Sequence, residues 1–295
     1  MILLDGKRVA AEIRVELRVE VEALKAQGKR APKLAVVLVG NNPASETYVA
    51  NKLKACAEVG IEAQAIRYPM DITEYTLLNE IAKLNSDTSI DGYIVQLPLP
   101  EHINEQTILS AIDYRKDVDG LTPVNIGRMA QGQSSIVSAT PRGIRELLSR
   151  YNIATEGRHV VVIGRSNIVG KPIAMLLMQR PYLSLPGMSA ASLGDATVTI
   201  CHSKTKDLAA ICRTADILIV AAGCPKLLIA DMIKEGAVVI DVGINRVDGH
   251  LVGDVDFENV SKKASYITPV PGGVGPMTIA ALLQNTLQAY NEYSR

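Results

Sequence analysis

Three side chains able to touch a ligand or move a proton, Ser45, Tyr48 and Lys52, recur at i, i+3 and i+7 in the stretch ASETYVANKLKACAEVG. That spacing sets them on one side of a helix. Such a stripe is either a solvated face or a row pointing into a site, and the stretch alone leaves both readings open. A lysine in water is protonated at neutral pH and is a poor base. Burial in apolar surroundings, or a nearby positive charge, would favour its neutral form and make it a proton carrier.

A second group of residues addresses phosphate. VVVIGRSNIVGKPIA puts a strand before Gly164, then a turn, then a helix starting near Val169. Backbone N–H groups at such a turn, with the positive end of the helix dipole, bind a pyrophosphate. The glycines, Gly164 and Gly170, do not follow G-x-G-x-x-G, so a plain strand–turn–helix stays open. In a site for NAD the following strand would end in an acidic residue for the ribose hydroxyls. Here TVTICHSKT ends in His202, Ser203 and Lys204, and the cradle itself carries Arg165. Cations and a hydroxyl in that place suit a ribose 2′-phosphate and point to NADP.

The third group is TPVPGGVGPMT, Thr268 to Thr278, with three prolines and three glycines directly before the last helical pattern. Prolines fix φ while glycines let backbone approach a ligand closely, so the loop reads as ligand-contacting rather than as a plain turn.

Composition bounds what these groups serve. The 295 residues suit two domains, and 47% hydrophobic with 21% charged residues is a globular balance. Lys plus Arg and Asp plus Glu both total 31, so no overall field recruits nucleic acid or an acidic membrane. Four cysteines without a C-x-x-C pair read as buried small side chains in a reducing compartment, and four scattered histidines supply no metal cluster. The stretch MILLDGKRVAAEIRVEL does not read as a signal peptide, and no apolar run reaches the roughly 18 residues of a membrane span. The expectation is a cytoplasmic enzyme or binding protein.

The elements that must position these residues alternate along the chain. KLAVVLVG, IEAQAIRY and DGYIVQLPLP read as strands between helical segments, giving one doubly wound layer. KDVDGLTPVNIGRMAQGQSS reads as a loose connection and domain boundary, after which TPRGIRELLSRY opens a helix with Thr140 as N-cap and Pro141 at its first position. HVVVIGRS, ATVTICHS, DILIVAAG and AVVIDVGIN are the strands of a second α/β layer, with ADMIKEG between them as a helix. The last helix, PMTIAALLQNTLQAYNEY, is expected to pack back on the first domain. Pro181–Asp195 has no clear period and reads as a surface insertion rather than a flap.

Taken together, YVANKLKACAEVGI, DGYIVQLPLP, KDVDGLTPVNIGR, GRSNIVGKP and TPVPGGVGPMT resemble, in order, the bifunctional methylene-tetrahydrofolate dehydrogenase/cyclohydrolase family. The resemblance runs from near Leu4 to the last helix. It implies two doubly wound α/β domains, the second Rossmann-like, with a cleft between them: residues 1–139 plus 276–295 for folate and catalysis, and 140–275 for NADP. It implies a homodimer that oxidises 5,10-methylene-tetrahydrofolate with NADP and hydrolyses the methenyl product to 10-formyl-tetrahydrofolate. By motif, Lys52 matches the catalytic lysine, Tyr48 the tyrosine one turn before it, and Gln96 the glutamine that hydrogen-bonds the lysine. Asp119 matches the residue that holds the pterin, with Asp117 close enough to be confused with it. Ser45, Leu97 and Pro98, and Pro271, Gly272 and Gly273, fall on the substrate side. Gly164, Arg165, Ser166, Ser203 and Ile244 match cofactor positions, and no metal is implied.

Structural roles compete at two of these positions: Gln96 could satisfy backbone groups at a strand end, and KDVDGL could be a capped turn. Three rival readings remain. One is a monofunctional, possibly NAD-using dehydrogenase of the same family, which the presence of Lys52 and the His202–Lys204 ending disfavour. An amino-acid or shikimate-type dehydrogenase with a similar two-domain plan fits the second domain but leaves the Tyr48, Lys52 and Gln96 set and the proline–glycine loop unexplained. A non-catalytic nucleotide-binding regulator would bind NADP and turn over no folate.

Overall fold

The computed structural model describes residues 1–180 and 193–293, so positions 181–192 of the Pro181–Asp195 segment lie outside the described residues. In chain order the elements are β1 (Ile2–Leu3), α1 (Gly6–Ala26), β2 (Lys33–Val39), α2 (Pro43–Val59), β3 (Glu62–Tyr68), α3 (Glu74–Ser86), β4 (Gly92–Val95), α4 (Glu105–Ala111), α5 (Pro123–Ala130) and α6 (Ala139–Arg150). There follow β5 (His159–Ile163), α7 (Gly170–Met178), β6 (Thr197–Cys201), α8 (Leu208–Arg213), β7 (Ile217–Val220), β8 (Val238–Asp241), β9 (Asn245–Val247), β10 (His250–Val252), α9 (Phe257–Val260), β11 (Tyr266–Ile267) and α10 (Val274–Tyr293).

Two compact α/β units result. One comprises Ala11–Arg128, Ser135–Ala139 and Ile279–Arg295; the other comprises Met1–Ala10, Met129–Ser134 and Thr140–Thr278. The first contains a parallel sheet of order β3-β2-β4. Every residue of β2 after Lys33 is buried, which accounts for its continuous apolar run: a central parallel strand is covered on both faces. Val37 and Tyr93 pack there with Leu77, Ile81 and Ile108. The chain leaves β2 on one side for β3 and returns on the other for β4. The C-terminal end of β2 is therefore a topological switch point, where open α/β sheets bind ligands.

The second unit carries a parallel sheet of order β1-β11-β8-β7-β5-β6. Here β5 is the strand flanked by β6 on one side and β7 on the other, so its C-terminal end is the switch point. Val161, Leu218 and Val239 build the core.

Several elements depart from the sequence reading. β1 pairs with β11, with Ile2 opposite Tyr266, so residues 1–10 group with the six-stranded unit and not with the folate-side domain to which 1–139 were assigned. The connection after KDVDG contains α5, whose Thr122 hydroxyl accepts from Asn125 N at 3.3 Å, an N-cap signature ahead of Pro123. α6 begins at Ala139, so Thr140 lies inside the first turn, where its hydroxyl meets that of Thr278 at 3.0 Å instead of capping. ADMIKEG forms only a 3-10 turn at Ala230–Met232. β9 and β10 make an antiparallel hairpin around Asp248–Gly249, both at positive φ. Among the described residues no helix is long and apolar enough to cross a membrane, and no cluster of His, Cys, Asp or Glu could hold a metal ion.

Candidate active site

The lysine helix α2 leaves the end of β2 through a turn that fixes its start. Asn42 accepts from Ala44 N at 2.9 Å and Ser45 N at 3.3 Å, and Pro43 opens the helix. Gly60 closes it at φ 81. Of the polar stripe, Ser45 is buried, Lys52 half-buried, and Tyr48 remains 42% exposed with its ring free to cover a ligand.

Lys52 Nζ donates to Gln96 Oε1 at 3.0 Å. Gln96 follows β4 directly, and its backbone N–H donates to Val37 O at 2.8 Å, which anchors it at the strand end. Its own amide orientation is fixed, because Nε2 donates to Leu97 O at 2.8 Å. A carbonyl can only accept, so Oε1 is the end left for the lysine. Leu97 precedes the exposed Pro98 through a cis peptide. Gln96 is thus committed to Lys52 as well as to the strand end.

Burial pushes the Lys52 ammonium below its ordinary pKa, with the Asp119 charge and the Cys56 thiol opposing. Asp119 moves the other way: burial raises it, Lys52 lowers it, and Asp117 raises it. Base and acid are drawn toward one another, which cuts the cost of moving a proton there. Cys56, one turn after Lys52, is pushed up to about 12 by burial, so it stays a neutral thiol and does not pair with the lysine as an anion.

The two neighbouring aspartates separate by their partners. Asp117 is buried and accepts from Leu121 N at 3.2 Å, Thr122 N at 2.8 Å and Asn125 Nδ2 at 2.9 Å. It is the turn-forming residue. The Asp119 backbone carbonyl accepts from Ala139 N at 3.2 Å, but its carboxylate has no hydrogen-bond partner among the described residues, so both side-chain oxygens stay available as acceptors. Its backbone is held tightly. Ser138 Oγ donates to Gly120 O at 2.7 Å, and a Cβ on Gly120 would stand 2.5 Å from Ser138 N. Asn285 Nδ2 donates to both Val118 O and Val137 O at 2.8 Å.

In the six-stranded unit the cradle sits at the end of β5. Gly164 has φ 125, and a Cβ there would meet Ala221 O at 2.2 Å; one on Gly170 would meet Gly164 O at 2.2 Å. Only glycines permit this turn. Ser166 Oγ accepts from Val169 N at 3.1 Å and Gly170 N at 3.3 Å at the start of α7. Register pairs Ile163 with Cys201, so Arg165 and Ser203 follow the ends of adjacent strands. Both side chains are exposed and lack a partner among the described residues. An unpaired guanidinium beside a free hydroxyl, on a backbone cradle that excludes side chains, fits a nucleotide bearing an extra phosphate.

A model described as tetrahydrofolate dehydrogenase/cyclohydrolase, catalytic domain, matches residues 4–119, and one described as its NAD(P)-binding domain matches residues 138–294. The chain belongs to the tetrahydrofolate dehydrogenase/cyclohydrolase family. The bifunctional protein FolD of Desulfovibrio desulfuricans is 54% identical over 292 residues, 99% of either chain. The FolD crystal structure from Campylobacter jejuni superposes with a TM-score of 0.92 at 51% identity, covering 99% of each chain. The Trypanosoma brucei methylenetetrahydrofolate dehydrogenase-cyclohydrolase, complexed with NADP cofactor and inhibitor, gives 0.90 at 39% identity, covering 100% of this chain and 99% of that one.

Within this family frame, Ser45, Tyr48, Lys52, Gln96, Leu97, Pro98 and Asp119 lie in the three-stranded unit, inside the catalytic-domain match. Gly164, Arg165, Ser166, Ser203, Ile244, Pro271, Gly272 and Gly273 lie in the six-stranded unit, inside the NAD(P)-binding match. The last three form a braced loop. Gly272 has φ 108 and its carbonyl accepts from Lys7 N at 2.9 Å, while a Cβ on Gly6 would overlap Gly273 O at 1.9 Å. Sequence reasoning missed Gly6, Cys56 and Asn285. Cys56 was within reach, since i+4 from Lys52 places it on the lysine's side of the helix. The other two act through residues far along the chain and leave no local signal.

Proposed function

We propose that the chain oxidises 5,10-methylene-tetrahydrofolate to the methenyl form with NADP and then hydrolyses it to 10-formyl-tetrahydrofolate, a step pair of one-carbon metabolism. NADP supplies the hydride acceptor. Removal of hydride leaves a cation delocalised over two nitrogens and releases no proton, so that step needs positioning rather than a base. Hydrolysis does need proton movement. Lys52, held by Gln96 and lowered by burial, takes and returns the proton at Nζ, with Tyr48 covering the substrate. Asp119 holds the pterin through its two free acceptors, and Ser45, Leu97, Pro98 and the Pro271–Gly273 loop contact folate. Arg165 and Ser203 would take the 2′-phosphate, Gly164 and Ser166 the pyrophosphate, and Ile244 would also hold the cofactor.

The 3.0 Å Lys52–Gln96 bond carries this reading. A dehydrogenase without hydrolysis has no use for a lysine oriented and shifted in this way. The family likeness supports a cytoplasmic homodimer, a state that analytical ultracentrifugation of the purified chain checks. The deciding experiment follows NADPH and the methenyl species together, with methylene-tetrahydrofolate and NADP as substrates. NADPH with little methenyl accumulation supports both activities. NADPH with full methenyl accumulation makes the chain a monofunctional dehydrogenase, and no NADPH from folded protein that binds NADP makes it a non-catalytic regulator.

A further inference from the structure

Two buried carboxylates in the six-stranded unit take no part in the chemistry above. Asp241 ends β8 and is 3% exposed; Asp254, just after β10, is fully buried. Among the described residues neither joins an ion pair. Buried carboxylates without a cation must be met by hydrogen-bond donors, and here nearly all are backbone N–H groups.

Asp254 Oδ2 accepts from Ala222 N at 2.7 Å and Gly223 N at 2.8 Å. Its Oδ1 accepts from Cys224 N at 2.9 Å and Asn245 Nδ2 at 2.8 Å. Asp241 Oδ1 accepts from Gly243 N and Asp254 N, both at 2.9 Å, and Oδ2 from Val255 N at 3.0 Å. The Thr268 hydroxyl accepts from Asp241 N at 2.7 Å. The fit leaves no slack: a Cβ on Gly253 would lie 1.8 Å from Asp241 Oδ2, and one on Gly243 would lie 2.4 Å from Asp254 Cγ.

The segments clamped in this way are the turn after β7 and the turn after β8. The first holds Ala221, whose carbonyl closes on Gly164 of the cradle, and the second holds Ile244. Thr268, tied to Asp241, begins the proline–glycine loop. We propose that Asp254 and Asp241 are positioning residues for cofactor binding, fixing from beneath the backbone that places Gly164 and Ile244 against NADP. The inference rests on the cofactor reading given above.

The pair also has a titration signature. Burial pushes Asp241 up to about 6; the N–H groups of Asp254, Val255 and Gly243 oppose this, and the Asp254 charge adds to it. Among the described residues Asp254 is the titratable group that acts on Asp241: the turn after β8 and the 253–255 segment present N–H donors, and Thr268, directly after β11, presents its hydroxyl. A protonated Asp241 brings a fourth donor among three and loses one bond.

The test measures the NADP KM of the dehydrogenase and, separately, hydrolysis of methenyl-tetrahydrofolate, which uses no NADP. Asp254→Asn should raise the NADP KM by about tenfold or more, with hydrolysis within about twofold of wild type. Asn245→Ala removes one donor, leaves the backbone bonds in place, and should raise it about threefold. For Asp241→Asn, the ratio of its NADP KM to that of wild type should fall toward one as pH drops through about 6; titration of the cofactor phosphate cancels in that ratio. A KM within twofold of wild type in folded Asp254→Asn and Asn245→Ala overturns the inference alone. Parallel loss of NADP binding and hydrolysis also overturns it, since the pair would then only hold the fold. No NADPH from wild type overturns the proposed function instead.

Discussion

The lysine site and the nucleotide cradle stand at equivalent places, each at the switch point of a parallel sheet, yet they are built in opposite ways. Around Lys52 the polar groups are sheltered: an amide fixed at both ends, an amine lowered by burial and a carboxyl raised by it. Around Gly164 the Arg165 and Ser203 side chains are exposed and without a partner among the described residues, and the fit comes from backbone. The contrast follows from the work required. Moving a proton needs acid and base brought close in pKa, which burial does. Holding phosphates needs donors that pay little desolvation and stay free until the ligand arrives.

The largest expected effect breaks or keeps this contrast at once. Lys52→Met should lower methenyl hydrolysis by roughly a thousandfold, the scale of general acid–base catalysis, while NADPH formation survives at least in part. Normal hydrolysis in that variant would mean the buried amine moves no proton. Next in size, Asp119→Ala should weaken folate binding on the order of a hundredfold in calorimetry and leave NADP binding intact. Loss of both would make Asp119 a folding residue like Asp117. The exposed cradle should yield a smaller, selective effect: Arg165→Ala should raise the NADP KM about tenfold and that for NAD much less. Equal changes would show that the guanidinium does not read the extra phosphate.

The same contrast explains what was legible in the sequence. Backbone cradles announce themselves locally, since Gly164, Arg165 and the strand before them are consecutive. β2 and α2 were equally plain, one a continuous apolar run and the other bounded by Asn42–Pro43 and Gly60. The choice between Asp117 and Asp119 was not, because it depends on what Leu121, Thr122 and Asn125 donate to. The pairing of β1 with β11 joins two-residue strands at opposite ends of the chain, too short to carry a period. The bracing of Gly273 by Gly6 was hidden for the same reason. By contrast, the β9–β10 hairpin was readable: Asp248–Gly249 between alternating residues is a strong turn signal that went unused.

The smallest effect sharpens the comparison furthest, because it touches only the coupling inside the buried site. Hydrolysis that depends on neutral Lys52 should rise with pH through the amine's pKa, which burial sets below the ordinary lysine value. Asp119 is the carboxylate that holds this pKa up. Asp119→Asn removes the charge and keeps one acceptor oxygen, so the amine loses its proton more easily. The rising limb of the kcat profile should therefore move to lower pH. The measurement is methenyl hydrolysis at saturating substrate across pH, with the uncatalysed rate subtracted at each point. Arg165→Ala supplies the control, since its charge belongs to the cradle and should leave the limb in place. A limb that stays fixed in Asp119→Asn would assign it to a group other than Lys52. A limb that moves equally in both variants would show the field of the whole protein at work rather than a local acid–base pair.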